Sequence, residues 1–368
     1  MGEVRHVLGI SGGKDSAALA VYLRTRFPEI AMEYYFMDTG KELDETYEFI
    51  DGLEVFLGQK IVRLQAASGS PMSPFDHYLE TYGGYLPSPN ARWCTRKLKL
   101  EPFERFFVGD DPALSYVAIR ADEDREGLIS HKPNIQTLFP FRRNIWTQDV
   151  MNLAFDSAQV DRLAEVYAAE SPAPLRDTVL DIVRRPVSAR FSLPRKVNML
   201  LDLGAAMFNH AIFAFLRHSR YPVAGLTAYP ILDKEDTVDR DGVFRLLEES
   251  GVGKPKYYEP IPLEVDGKQG FYNRSRSGCF FCFFQQKIEW VWLHEQHPDR
   301  FLEAMAYEKD GFAWMDDERL EELIAPSRVE EIKKSHLSLK AGANGTKSSY
   351  LVDVLSESEG QGCTVCFI

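Results

Sequence analysis

The chain has 368 residues, a net charge of −12 and 45% hydrophobic residues. That length can bury one large or two ordinary cores, and no low-complexity tract or repeat interrupts the globular composition. The acidic balance excludes a nonspecific polyanion binder acting through its overall field, so any nucleic-acid contact requires a local basic patch or a partner.

In chain order, Val4–Ile10 has the largely apolar, β-branched look of a buried parallel strand. Residues 11–16 read Ser-Gly-Gly-Lys-Asp-Ser. From Ser16 onward, apolar residues recur at helical spacing. A strand, a glycine turn and a helix together aim backbone N–H groups and a helix N-terminus at one spot, which suits a phosphate. Gly12 and Gly13 let the backbone approach oxygens closely, Ser11 and Ser16 add hydroxyls, and Lys14 supplies a cation. The motif is not a Walker A loop: its spacing is too short, and Asp15 stands where Ser or Thr would follow the lysine. An ordinary capped glycine turn is the bland alternative.

Met32–Met37 is the second predicted strand and ends at Asp38. Leu43–Phe56 reads as a helix, Lys60–Leu64 as a short strand, and Ser68–Asn90 as a loop over a site. Arg96–Phe107 reads as a helix, and Ser115–Ile119 as a strand ending at Arg120. The fold class expected is α/β, a doubly wound parallel sheet, in which ligands bind beyond the carboxyl ends of strands. Asp38 and Arg120 fall at such ends. The Arg120 guanidinium suits a phosphate oxygen, and Asp15 or Asp38 could orient Mg²⁺. Arg96, Lys97 and Lys99 could add positive charge, with surface ion pairs as the plain alternative.

The expected organisation is an α/β domain over 1–145, a helical insertion over 146–225, a cysteine-bearing return segment with C-terminal helices over 226–340, and a Gly/Ser-rich tail over 341–368. The C-terminal helices are predicted at Glu289–Lys309 and Asp316–Lys334. Ala228–Tyr258 reads as a turn followed by a helix. The apolar stretch Leu203–Leu216 is too short to span a bilayer. The first strand starts so near Met1 that no signal peptide is expected, giving a cytoplasmic, membrane-free expectation. Arg184, Arg185, Arg190, Arg195 and Lys196, with Phe191 among them, form the candidate basic patch, for which a solvated helix face is the plainer explanation.

Five cysteines are present: Cys94, Cys279, Cys282, Cys363 and Cys366. An odd number without a secretion signal argues against a disulfide framework and towards metal binding or thiol chemistry. The pair at 279–282 could be a zinc half-site, a redox pair or an iron–sulfur half-site.

The Ser11–Ser16 loop resembles the signature of the N-type ATP pyrophosphatases. The segments Met37–Glu42 with Glu45–Ile50, Arg92–Lys99, Ala118–Glu123 with Arg125, and Arg276–Cys282 resemble, in order, the phosphoadenylylsulfate reductase branch of that superfamily. The resemblance implies an adenine nucleotide alpha hydrolase-like fold. It also implies a loop that grips the β,γ-pyrophosphate of ATP while the α-phosphorus is attacked. Reductases generally carry a degraded loop, whereas this one is complete. It is thus most similar to ATP-cleaving sulfurtransferases of the DNA phosphorothioation type (DndC/SspD) and their tRNA-thiolating cousins. The implied cofactors are ATP, held by Ser11, Gly12, Gly13, Lys14, Asp15, Ser16, Asp38 and Arg120, and Mg²⁺. A 4Fe–4S cluster on Cys94, Cys279 and Cys282 is also implied. Cys363 or Cys366 could supply a fourth ligand or a persulfide. The implied catalytic residues are Lys14, Asp15, Arg120, Cys279 and Cys282. The implied partners are a DNA backbone as acceptor, a cysteine desulfurase as sulfur donor, other phosphorothioation proteins and a second copy of the chain in a homo-oligomer. A sulfonucleotide reductase and a non-catalytic nucleotide-sensing subunit are the competing expectations.

Overall fold

The computed structural model describes residues 3–107, 109–126, 132–309 and 311–345, with side chains to 339. Cys363 and Cys366, and with them the expected tail motif, lie outside the described residues.

Five strands form one sheet: β1 Arg5–Gly9, β2 Met32–Asp38, β3 Val62–Gln65, β4 Ala113–Tyr116 and β5 Ile135–Leu138. Their order is β3-β2-β1-β4-β5. β1 runs parallel to β2 and β4, and β4 parallel to β5. The fold is therefore α/β, with the strand order reversing between β1 and β4, where such sheets open a crevice. β5, which the sequence reading lacks, is a four-residue strand whose every residue is buried. A short run of that kind has no periodicity to mark it.

The helices in chain order are α1 Lys14–Arg26, α2 Asp44–Leu57, α3 Pro74–Thr81, α4 Trp93–Thr95, α5 Glu101–Phe106, α6 Gln148–Ala154, α7 Val160–Glu170, α8 Arg176–Arg184, α9 Leu193–Leu203, α10 Ala205–Leu216, α11 Arg240–Glu249, α12 Lys287–Gln296, α13 Pro298–Tyr307, α14 Leu320–Leu323 and α15 Pro326–Gly345. They belong to two compact units.

The first unit takes residues within 1–9, 15–35 and 107–250. Its core is built from Val7 and Leu8 of β1, Leu114 and Tyr116 of β4, and Leu19 and Leu23 of α1, all essentially inaccessible. Strands buried on both faces read as continuous apolar runs, which is why β1 is legible in the sequence. From 148 to 216 this unit is helical. α9 and α10 meet at a 118° bend at Gly204, and among the described residues no single helix is long and apolar enough to cross a membrane.

The second unit takes residues within 10–14, 36–106 and 251–368, described to 345. Its core is aromatic, with Phe75, Phe281, Trp290, Trp292 and Trp314 packed together. The predicted loop 68–90 contains α3. Ser73 caps it by accepting from the Asp76 N–H, a proline opens it, and Phe75 and Leu79 bury one face. Cap and proline at the first turn outweigh the Ser/Pro/Gly composition. The predicted helix 96–107 starts earlier, at Trp93, and carries a π-helical turn over Arg96–Leu100. The predicted helix 289–309 is broken into α12 and α13, because Pro298 lacks an N–H and holds His297 out of helical geometry. Pro326 likewise separates α14 from α15. An antiparallel hairpin, β6 Ile261–Val265 with β7 Lys268–Tyr272, completes the unit.

Candidate active site

In the second unit, the turn after β1 is shaped by its glycines. Gly12 has φ +73°, a left-handed conformation, and a Cβ there would sit 2.3 Å from Thr46 Cγ2 of α2. A Cβ on Gly13 would sit 2.5 Å from the Ser277 hydroxyl. Gly12 is required by its backbone conformation as well as by space, whereas a side chain at Gly13 would force the Ser277 hydroxyl aside. The Tyr257 hydroxyl donates to the Gly12 carbonyl at 2.9 Å, and the Lys14 ammonium lies 5.6 Å from the centre of the Tyr258 ring. Lys14 is buried, as are Asp15 and Ser16 at the start of α1. The turn therefore presents backbone N–H groups, hydroxyls and a partly desolvated cation together, as an anion cradle requires.

The carboxyl end of β2 carries a second cluster of the same unit. Asp38 accepts from the Gly40 N–H at 2.9 Å, from the Tyr47 hydroxyl at 2.9 Å and from Gln65 Nε2 at 2.8 Å. Tyr47 also donates to Glu42 at 3.2 Å, so one hydroxyl bridges two buried carboxylates. Thr39 donates to both Glu42 oxygens, at 2.8 and 2.9 Å. Burial, reinforced by the nearby Asp38 charge, pushes the Glu42 carboxyl above its ordinary range. Asp38 was expected here; Glu42, Tyr47 and Gln65 were not. The Asp-Thr-Gly-Lys-Glu segment carried their signal only in part, because Gln65 comes from β3, distant in sequence.

Cys94, Cys279 and Cys282 line one cavity of the second unit, of about 40 Å³. Its walls include Phe75, Leu98, Phe281 and Trp314, with Thr39, Thr95 and Lys99 as polar members beside the cysteines. The Thr39 hydroxyl lies 3.2 Å from Cys279 Sγ. Burial pushes the Cys279 thiol well above its ordinary value, and the Glu42 charge acts in the same direction. Arg274, itself buried, donates to the Cys279 carbonyl at 3.3 Å with its guanidinium between Tyr257 and Trp292. The three thiols share a cavity although residue 94 lies far from 279–282 in sequence. Soft thiolate donors in an apolar pocket suit an iron–sulfur group by donor type. As they stand, no three His, Cys, Asp or Glu side chains among the described residues are grouped as around a bound ion. Of the three cations expected nearby, Arg96 and Lys97 both face Glu101, at 3.6 and 2.7 Å, and only Lys99 reaches the cavity wall.

In the first unit, Arg120 follows β4 and is buried against carboxylates. Nη1 lies 3.2 Å from Asp15, Nε 3.0 Å from Asp122, and Nη1 3.6 Å from Glu123. Burial alone would lower its pKa, but Asp15, Glu123 and Asp122 outweigh that and raise it. Glu123 also accepts from the Arg120 backbone N–H at 2.9 Å. Arg142 donates to the carbonyls of Glu123 and Arg125, both at 2.6 Å, and fixes this loop from β5's side of the chain. Glu123 lies in the Ala118–Glu123 segment that resembles the family, whereas no local pattern marks Arg142, which donates to backbone oxygens.

Residues 5–135 match the family model described as the phosphoadenosine phosphosulfate reductase domain. Over this stretch, about a third of its length, the chain is similar to that domain. An uncharacterized protein of Methanocaldococcus jannaschii is 34% identical over 120 residues, covering 32% of this chain and 23% of that protein. An uncharacterized nin region protein of Escherichia phage lambda is 28% identical over 158 residues, covering 36% of this chain and 53% of that protein. The chain thus spans about a quarter to a half of the length of these relatives. No solved structure matches the chain.

Proposed function

We propose that this chain is an ATP-dependent sulfurtransferase that adenylates an acceptor oxygen and replaces it with sulfur, with a DNA backbone phosphate as the acceptor. The observation that carries the reading is the intact phosphate turn. Gly12 is held in a left-handed conformation against Thr46, Gly13 packs close under Ser277, and Tyr257 fixes the Gly12 carbonyl. A protein that only binds an already activated sulfate has little use for a complete pyrophosphate grip.

In the reaction, the 11–14 turn and the first residues of α1 hold the β,γ-phosphates of ATP. An acceptor oxygen attacks the α-phosphorus, the α–β bridging bond breaks, and pyrophosphate leaves with its charge met by backbone N–H groups and Lys14. Sulfur at the sulfide level then displaces AMP, so the sequence needs no net oxidant or reductant. Asp38 is the better placed of the two carboxylates expected to orient Mg²⁺, because Asp15 already faces Arg120. Arg120 acts by holding Asp15 at the start of α1. Cys94, Cys279 and Cys282 are the residues that would hold a 4Fe–4S cluster, which when bound supplies an iron able to carry sulfide. A cysteine desulfurase would offer that sulfur as a persulfide, from which a thiol reductant must release sulfide, with two electrons and formation of a disulfide, before this step.

Incubation with ATP labelled at the α-phosphorus, with Mg²⁺, a sulfide source and duplex DNA, tests the reading. AMP and pyrophosphate in equal amounts, with phosphorothioate in the DNA, are the expected products. No AMP with DNA, tRNA or any sulfur donor overturns it, and AMP with thiolated tRNA alone moves the acceptor from DNA to RNA.

A further inference from the structure

Residues 182–201 contain five cations and no acid, in a chain whose net charge is −12. They form the hairpin between α8 and α9 in the first unit, closed by paired backbone hydrogen bonds between Ser188 and Phe191 at 2.9 and 3.0 Å. The five cations divide in two. Lys196 is buried and its ammonium donates to the carbonyls of Val183 and Arg185, at 2.6 and 2.8 Å, which ties α9 to the end of α8. Burial lowers its pKa. Arg184, Arg185, Arg190 and Arg195 are all exposed. Among the described residues no carboxylate forms an ion pair with any of the four.

Two of the four are also pre-positioned. The guanidinium carbons of Arg185 and Arg195 lie 4.2 and 5.9 Å from the centre of the buried Phe191 ring, so one aromatic side chain is shared by two cations. Like charges held close on a stiff hairpin repel each other in the free protein and are relieved by a polyanion. Guanidinium groups pair with phosphate oxygens in bidentate fashion. A membrane surface would also offer phosphates, but anchoring there needs inserted apolar side chains, and Val187 is the only exposed large hydrophobic residue of the hairpin.

We infer that the α8–α9 hairpin is a docking surface for the phosphodiester backbone of a nucleic acid, with Arg184, Arg185, Arg190 and Arg195 as its phosphate contacts. It deepens the proposed function by giving the acceptor a place to bind, and it rests on that reading only for the acceptor's role in the reaction. The plainer expectation of a solvated helix face fits Lys196 and Phe191 poorly, since both point inwards.

Fluorescence anisotropy of the full chain with labelled single- and double-stranded oligonucleotides, without ATP, tests the surface. Four phosphate contacts should weaken binding about a hundredfold between 50 and 200 mM salt. Replacing all four arginines with glutamine should lower affinity by at least about thirtyfold and flatten the salt dependence by about three to four charges. The four-lysine variant, which keeps the charge, should retain most of the salt dependence, and matched circular dichroism melts show that both variants fold. Oligonucleotide binding that is absent, or indifferent to the glutamine substitutions, overturns the inference. So does arginine-dependent binding found only with phosphatidylserine vesicles. Because the assay needs no turnover, a protein that binds DNA through these arginines yet never forms AMP refutes the sulfurtransferase reading alone. One that forms AMP but ignores the substitutions refutes the surface alone.

Discussion

The two units each gather acids around a buried carboxylate, and they treat them oppositely. In the first unit, Asp15, Asp122 and Glu123 surround Arg120, so the cluster brings its own cation. In the second, Asp38 and Glu42 share the Tyr47 hydroxyl, and among the described residues no lysine or arginine forms an ion pair with either. Burial and the Asp38 charge hold the Glu42 carboxyl above its ordinary range, against the opposing pull of Lys99, and an ion arriving with a ligand would relieve that cost. A compensated cluster holds the fold in shape; an uncompensated one is where an incoming metal gains most. Arg120, which the sequence marks as a phosphate ligand, belongs to the first kind.

The largest expected consequence concerns turnover. Asp38→Asn should lower Mg²⁺-dependent AMP formation by about 10²–10³, as should Lys14→Ala by removing the cation of the phosphate turn. Asp122→Asn, at the exposed rim of the compensated cluster, should leave the rate within about threefold of wild type. Initial rates of pyrophosphate release at saturating ATP measure all three, and equal losses in Asp38→Asn and Asp122→Asn would erase the distinction.

Stability should show the reverse order. Arg120→Ala leaves the buried Asp15 without its cation, while Glu123 keeps Arg125, and should cost about 3–5 kcal/mol in urea unfolding. A cost under about 1 kcal/mol would mean that Arg120 is held for a ligand and not for the fold. Tyr257→Phe is a smaller probe of the turn itself. It strands the Gly12 carbonyl and should cost about 1–2 kcal/mol. Its effect on the KM for ATP should exceed its effect on kcat, since the turn binds phosphate before chemistry begins.

How much of this was legible depended on how local the cause was. The phosphate turn could be read because Gly12, Gly13 and Lys14 are contiguous and lie between a buried strand and a helix. The two strands flanking the order reversal were legible for the same reason. β5 was not, because four buried residues have no period. α3 was hidden by its composition, although Ser73 and Pro74 are together a helix start. At the site, the sequence marked side chains that carry charge and passed over those that place them. Tyr257, Arg274 and Arg142 act on backbone carbonyls and Tyr47 on two carboxylates, and a linear pattern has no means to register that. Arg120 shows the converse: its residue type suggested phosphate, and only the fold revealed three carboxylates already around it.

The finest test separates a protonated acid from a compensated one at Glu42. Its folded pKa is raised, first by burial and then by Asp38. Between the unfolded value and that raised folded value the native state binds more protons than the unfolded state, so stability falls as pH rises through the window. Glu42→Gln removes this titration while keeping a similar shape and an acceptor for Thr39. Relative to wild type, the variant should gain stability as pH rises from 4 to 7, by about 1 kcal/mol or less, in paired denaturant titrations. Mg²⁺ should narrow the gap by stabilising wild type more than the variant, because a divalent ion adds to the positive charge that Lys99 alone supplies to Glu42. A gap that is flat with pH would mean that Glu42 is ionised and already compensated in the fold. The two acid clusters would then be alike, and the case for a metal at Asp38 would lose its electrostatic footing.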